Sequence, residues 1–354
     1  MIKKIISRKR NLVMAVAIGI GAMTIGAFAI GSQSSKVNAE ALICTGENLL
    51  TALETTDPDI VKTIADKAAA LTHGDGILWQ ITNGDTQPSY VFGTMHISDP
   101  RLIDLGPKTQ KAFDASHTLA LEITDVVDPQ KMKEKAASLA QYTLYSDGLD
   151  ITAHLTDQQE KEISEALSER LPLPWFVAKR LKPWALMGAL SVPACEQARK
   201  EAGQPFLDQS LALEATAAGK KLVSLETMES QMKAMSSLPD ATMIKALHDT
   251  TRMGKRIDDV FETMIQLYEQ EKIALVWAMM KHMTADGLQP TEDQSDYAAF
   301  QREIVDKRNV SMVENSIPLI EKGGAFIAVG ALHLPGEMGI LNILAQKGYT
   351  IRRM

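Results

Sequence analysis

The 354-residue sequence predicts an α/β protein: a mostly parallel central sheet with a β-hairpin near its N-terminus and a large helical insertion. Three observations predict it. Apolar runs of the kind found in buried parallel strands occur at 118–123 and 325–329. Helical patterns alternate with strand-like runs at both ends of the chain. Asn83-Gly84-Asp85 lies between two further strand-like runs, 77–82 and 89–93, and is a strong hairpin signal.

The elements follow in order. Asp57-Pro58 places an N-cap before a proline at the first helical position, opening a helix that runs to about 71 and stops near Gly74. After the hairpin, 107–116 is a short helix with an early proline, and 118–123 (Thr-Leu-Ala-Leu-Glu-Ile) is a strand broken only by Glu122. Thr156 with Gln159 resembles a capping box for a helix over 157–170. Prolines 172, 174, 183 and 193 break the next stretch into short helices. A helix over 206–218 ends at Gly219, and a short strand over 221–225 ends in Glu226. Residues 228–283 read as two or three amphipathic helices interrupted near Pro239, followed by a polar loop over 286–296. A long helix over 297–322 closes at Gly323-Gly324. Strand 325–329, helix 338–347 and strand 349–352 complete the chain. Residues 40–354 form a single domain on this reading, with the helical insertion at about 229–300.

The N-terminus has a targeting layout. Lys3, Lys4, Arg8, Lys9 and Arg10 precede an uncharged stretch over 12–31, and Val37-Asn38-Ala39 ends in small residues. This reads as a secretory signal over 1–39, cleaved after Ala39. The alternative is an uncleaved anchor, since the stretch is long enough to span a bilayer. The protein is then periplasmic or secreted, or anchored in the inner membrane facing the periplasm. Six of the 37 Lys and Arg lie before residue 40, so 31 face the 44 Asp and Glu beyond it, a net charge of −13. That balance repels nucleic acid and anionic lipid and argues against a nucleic-acid partner; membrane contact would come only through an uncleaved N-terminal segment. The two cysteines, Cys44 and Cys195, suggest one disulfide in an exported chain, the alternative being two unpaired thiols.

One short pattern occurs twice. Gly93-Thr94-Met95-His96 and Gly330-Ala331-Leu332-His333 each follow a strand-like run. The glycine allows a positive φ or a close backbone approach where strand turns to loop. In α/β sheets ligands bind beyond the carboxyl ends of the strands, so His96, Glu122, Glu226 and His333 are placed to converge there. Two histidines with one or two glutamates suit a divalent metal, Zn²⁺, Mn²⁺ or Co²⁺, with His96, Glu122 and His333 as ligands. Glu226 is then a general base or a supporting carboxylate, and Arg308 a candidate to stabilise an oxyanion. A metal-free version uses His96 as base on water with Glu122 orienting it. Asp208, in the first turn of its helix, is a supporting candidate. The Met-rich helices are either core or the lining of an apolar or peptide groove. His-Glu-x-x-His, Gly-x-Ser-x-Gly, P-loop and Gly-x-Gly-x-x-Gly motifs are all absent, which removes support from zincin, serine-hydrolase, kinase and dinucleotide-binding readings.

Taken together these residues resemble the TraB/GumN family. The resemblance is carried by Leu78-Trp79, the run from Tyr90 to His96, Leu119-Ala120-Leu121-Glu122, Leu207-Asp208-Gln209-Ser210-Leu211, Gly219-Lys220-Lys221, Leu225-Glu226-Thr227, Arg308-Asn309 and the run from Phe326 to Leu334. It covers about residues 76–352, and its most specific parts are the two Gly-x-x-His turns. Cys44-Thr45-Gly46 and Pro193-Ala194-Cys195-Glu196 resemble the exported proteobacterial branch. The wider superfamily includes Tiki, a metal-dependent protease, and erythromycin-esterase-like hydrolases. The resemblance implies that His96, Glu122 and His333 match the family's metal or acid–base residues, with Asp208, Glu226 and Arg308 as supporting polar positions. The expected function is an exported metal-dependent hydrolase, a peptidase acting on a peptide or other small-molecule substrate. The alternatives are an envelope protein that binds peptide without cleaving it and a metal-free esterase-like hydrolase.

Overall fold

The computed structural model describes residues 42–125, 128–170, 173–284, 287–288 and 295–354. The secretory segment expected over 1–39 lies outside the described residues, as does most of the polar loop expected over 286–296.

β1 (Leu78–Thr82) and β2 (Ser89–Thr94) form the expected hairpin, followed by β3 (Thr118–Leu121) and β4 (Lys221–Ser224). β5 (Met283–Thr284) and β6 (Gly287–Leu288) make a separate two-stranded ribbon, and β7 (Ala325–Gly330) and β8 (Thr350–Arg353) return to the main sheet. The order across the six-stranded sheet is β4-β3-β7-β2-β1-β8. β7 is parallel to both β2 and β3, and β3 is parallel to β4. β1 runs antiparallel to β2 and β8. Four strands therefore end at one edge, with β7 in the middle.

β7 is buried along its whole length, which is why its sequence is apolar without alternation. Phe326 and Ala328 face one side, against Phe113 and Ala112 of helix Gly106–Asp114 and Leu211 and Ala215 of helix Leu207–Ala217. Ile327 and Val329 face the other, with Met312 and Val313 of helix Lys307–Lys322 and Leu341 and Leu344 of helix Ile340–Gln346. A third and larger core takes in Met95, Ile97, Ile123 and Ala331, which follow the strand ends, so the remaining helices gather over the carboxyl edge of the sheet.

The helical boundaries follow local chemistry. The Asp57 side chain accepts from Ile60 N, and Thr156 and Gln159 close a reciprocal capping box. Residues 228–283 hold four helices, Met228–Ser236, Asp240–Met253, Arg256–Glu269 and Ile273–Met280, rather than two or three. The additional breaks fall at Gly254 and Glu271, whose positive φ angles of 52° and 58° end helices without interrupting the apolar pattern. The long helix expected over 297–322 is divided by a wide π-type turn at Gln301–Asp306. Helix Leu49–Thr56, capped by Asn48, was not apparent in the sequence.

Cys44 and Cys195 are bonded, with a Cα–Cα distance of 5.3 Å across a separation of 151 residues. Closing so long a loop stabilises the fold by about 5 kcal/mol in the chain-entropy account. No helix among the described residues is long and apolar enough to cross a membrane.

Phe326 is fully buried, with ring centroids 5.6 Å from Phe92 and 5.4 Å from Phe113. Phe326→Ala should lower the unfolding free energy by about 3–5 kcal/mol in urea titration; a loss below about 1 kcal/mol would contradict its place at the centre of this core.

Candidate active site

The parallel strands set the site's positions. His96 lies two residues beyond β2, Glu122 directly follows β3, Glu226 lies two residues beyond β4, and His333 three beyond β7. All four are buried, between 6% and 8% exposed. Burying several ionisable groups together is costly unless each is paired, and their partners define the site.

Both motif glycines act through close approach, not through φ. Neither has a positive φ. A Cβ on Gly93 would meet Leu334 Cδ1 at 2.7 Å and Ala331 at 3.0 Å. A Cβ on Gly330 would sit 3.3 Å from Glu122 Oε1, 3.3 Å from His96 Nε2 and 3.4 Å from His333 Cδ2. The second glycine leaves the space onto which both imidazoles and the carboxylate converge.

Each histidine is oriented through its other nitrogen. His96 Nδ1–H donates to Asp208 Oδ2 at 2.8 Å, and Thr94 Oγ1 donates to Asp208 Oδ1 at 2.9 Å. Asn309 Nδ2 donates to Met338 O at 2.7 Å, which turns its Oδ1 toward His333 as an acceptor. His333 Nδ1–H donates to that oxygen at 2.6 Å, leaving its Nε2 lone pair free. The two Nε2 atoms face Glu122 Oε1 at 3.7 Å (His96) and 3.8 Å (His333).

Glu122 is the hub. Its Oε1 accepts the Gly330 N–H at 2.7 Å; its Oε2 accepts Arg308 Nη2 at 2.6 Å and Gln231 Nε2 at 3.0 Å. Arg308 is shared with Glu226, through Nε at 3.0 Å and Nη2 at 2.6 Å, and Gln231 bridges to Glu226 at 3.1 Å. Arg308 Nη1 donates to Ile304 O at 3.2 Å, across the π-type turn that delivers the arginine to the site; such turns recur at functional positions.

The protonation states diverge. Burial alone would lower the His96 pKa, but the Asp208 carboxylate, followed by Glu122, outweighs it and raises the imidazole to about 9. Burial and then the Arg308 cation push His333 down to about 3. Burial would raise Glu122, but Arg308 and the neighbouring imidazoles hold it well below the usual carboxylate range. Glu122 and Glu226 thus share one guanidinium, while Asp208 pairs with His96, which takes up a proton: three carboxylates face a single permanent cation.

The open side is apolar. Met235, Met264, Ile273, Val276, Phe300 and Val305 line a cavity whose other wall is His96, Glu122, His333 and Arg308. Both uses of methionine therefore occur: Met235 and Met264 face the cavity, while Met228, Met279 and Met280 are fully buried in the helical core.

The structure brings His96, Glu122, Glu226, Arg308, His333 and Asp208 into one cluster. Glu226 is turned onto Arg308 and Gln231, the placement of a supporting carboxylate rather than of a base facing the cavity. Four of the five guanidinium hydrogens of Arg308 are committed, leaving one on Nη1 for a ligand. Among the described residues no group of three or more His, Cys, Asp and Glu stands at metal-ligand geometry; Glu122 accepts from Arg308 and from Gly330 N. Gln231 and Asn309 were not assigned roles from sequence. Asn309 adjoins Arg308, but an amide's function shows only through its partners; Gln231, five residues past Glu226, has no distinguishing pattern.

These features define an α/β protein whose candidate site is an ionised carboxylate between two imidazoles at the carboxyl edge of a parallel sheet. The chain belongs to the TraB/PrgY/gumN family, whose profile matches residues 77–353. Curated relatives include "Metalloprotease TIKI2" of Danio rerio, 25% identical over 81% of this chain and 62% of its own length. The "Metalloprotease TIKI homolog" of Nematostella vectensis is 24% identical over 78% and 66%, and "Metalloprotease TIKI1" of Homo sapiens 27% over 78% and 61%. The chain thus spans about three-fifths of the length of the curated relatives it matches. The comparison with solved structures gives no significant match.

Two outcomes follow from the geometry. Asp208→Asn should drop the His96 pKa from about 9 toward the ordinary 6.5, read by histidine-ring NMR on chelator-treated protein. A folded pKa above the unfolded one stabilises fully below about 6.5 and loses that contribution as pH rises through about 9, so the variant should also flatten the fall in stability across this window. An unchanged pKa would contradict the pairing. Gly330→Ala, whose backbone at φ −52° accepts alanine without strain, should leave the fold intact by circular dichroism while filling the space between His96 Nε2 and Glu122 Oε1.

Proposed function

We propose that this chain is an exported metal-dependent hydrolase, a peptidase in which His96, Glu122 and His333 hold a divalent cation, Zn²⁺, Mn²⁺ or Co²⁺. The observation that carries this reading is the convergence of two imidazole Nε2 atoms on Glu122 Oε1, each ring fixed through Nδ1 by a polar partner. Histidine metal ligands are commonly oriented this way, by a carboxylate or carbonyl on the far nitrogen. The donor set fits a divalent ion, and so do the gap left by Gly330 and the deficit of positive charge. The present separations are wider than those of donors sharing one ion, so binding requires small inward shifts and loss of the His96 proton.

A bound divalent ion supplies Lewis acidity and activates water at neutral pH. The chain's own residues do the rest. Asp208 and Asn309 fix the imidazole tautomers, and Arg308 and Gln231 hold Glu122 ionised and in place. Glu226 positions Arg308, whose remaining Nη1 hydrogen is the donor available to an oxyanion. The apolar wall limits water and accepts an apolar part of the substrate. The names of the relatives support peptide hydrolysis as the reaction. The basic and apolar segment over 1–39 and the Cys44–Cys195 bond support export to an oxidising compartment, periplasmic or extracellular.

A second reading has its own observation. The base role expected of His96 in the metal-free version does not hold, because Asp208 raises it to about 9 and keeps it protonated. His96 is instead the acid, beside an unprotonated His333 near 3, a separation of the kind used in acid–base catalysis. Peptide and ester hydrolysis, assayed with each metal and with chelator, separates the readings. The metallopeptidase reading expects peptide cleavage abolished by chelation and restored by one of the three metals, with Asn309→Ala weakening metal affinity about 10–100-fold. Turnover that survives chelation supports the acid–base hydrolase. Metal binding without turnover of any peptide supports a peptide-binding protein.

A further inference from the structure

His96 stands on a loop that the sheet does not hold beyond Thr94. Ser98 and Asp99, the residues that anchor this loop, are only 3% and 2% exposed, and both are held by one helix, Ala194–Glu201. Glu196 Oε1 accepts the Ser98 N–H at 2.8 Å, and Arg199, one turn on, donates Nη1 to Asp99 Oδ2 at 3.1 Å. The buried residues of that helix are Cys195, Glu196 and Arg199. It presents no large apolar side chain to the core, so the usual anchor of a surface helix is missing. Two links to the N-terminal segment replace it: the Cys195–Cys44 bond, and Arg199 Nε donating to Leu42 O at 3.0 Å.

The segment beyond Cys44 is itself fixed. Glu47 N donates to Asp259 Oδ1 at 2.9 Å and Leu49 N to Thr263 Oγ1 at 2.9 Å, both on helix Arg256–Glu269. The same helix receives Arg101 on Glu262, and its Tyr268 hydroxyl donates to Gly93 O at 2.6 Å. Glu196 is also an expensive residue for a purely structural bond. Its Oε2 is buried without a hydrogen-bond partner, the nearest cation being Arg199 Nη1 at 3.6 Å.

We propose that Glu196 and Arg199 are positioning residues for His96, and that the Cys44–Cys195 bond acts on the active site by holding the helix that carries them. The chain of contacts runs from the disulfide to Glu196, to Ser98 N, to the His96 loop. The proposal rests on His96 belonging to the active site, but its test needs neither metal nor turnover, so its failure is separable from that of the hydrolase reading.

The test is amide hydrogen exchange with histidine-ring NMR on chelator-treated protein: wild type, Glu196→Ala, Glu196→Gln and the double variant Cys44→Ser/Cys195→Ser. In Glu196→Ala and in the double variant the Ser98 amide should exchange at least about tenfold faster and the His96 ring signals should broaden, while Gly330 N–H and the His333 ring stay as in wild type. Glu196→Gln, which keeps an acceptor for Ser98 N–H, should restore both signals. Unchanged Ser98 exchange and His96 signals in Glu196→Ala would overturn the proposal. So would a uniform loss of protection across the sheet in the double variant, which would make the bond a general staple, or failure of Glu196→Gln to restore what Glu196→Ala loses.

Discussion

A carboxylate buried at the end of a central strand is the constraint around which this structure is organised. Glu122 follows the apolar strand β3 directly, and an ion in that position is tolerated only with strong compensation. The compensation comes from every direction: the Gly330 N–H from β7, the Arg308 guanidinium from the helix behind the π-type turn, the Gln231 amide, and two imidazoles. Arg308 in turn needs more negative charge than Glu122 alone provides, which accounts for Glu226. Removing one member of such a set leaves another charge unpaired, so the group is held together by the cost of breaking it.

Among the described residues, the acid that Arg308 does not balance is met by a proton on His96. The pocket raises one imidazole through Asp208 and depresses the other through burial and Arg308, with an apolar wall opposite. The space beside Gly330 lies between these groups. Glycine there is explained by the three side-chain atoms that converge on its missing Cβ, and not by its backbone angle.

Much of this was legible in the sequence because it follows from strand geometry. Apolar runs without alternation marked β3 and β7 as interior parallel strands, and polar residues just beyond such runs fall at one edge of the sheet. That was enough to bring His96, Glu122, Glu226 and His333 together. What the sequence hid depends on contacts between distant residues. Gln231 acts only by bridging two carboxylates, and Asn309 only because Met338 O fixes its amide. The roles of Glu226 and Arg308 turn on which way each side chain points, and each satisfies the other before it reaches the cavity. The four helices of 228–283 share one continuous apolar pattern, so their breaks at Gly254 and Glu271 lay in backbone conformation and not in periodicity.

The proposed function requires His96, Glu122 and His333 to form one cation site. Its most direct test is the metal content of the purified chain by mass spectrometry, beside a His96→Ala/His333→Ala variant shown to be folded. About one Zn, Mn or Co per chain, lost in the variant, is the predicted result, in keeping with a three-ligand site that leaves a position open. No metal in either protein after reloading with all three ions, or equal metal in both, would contradict it.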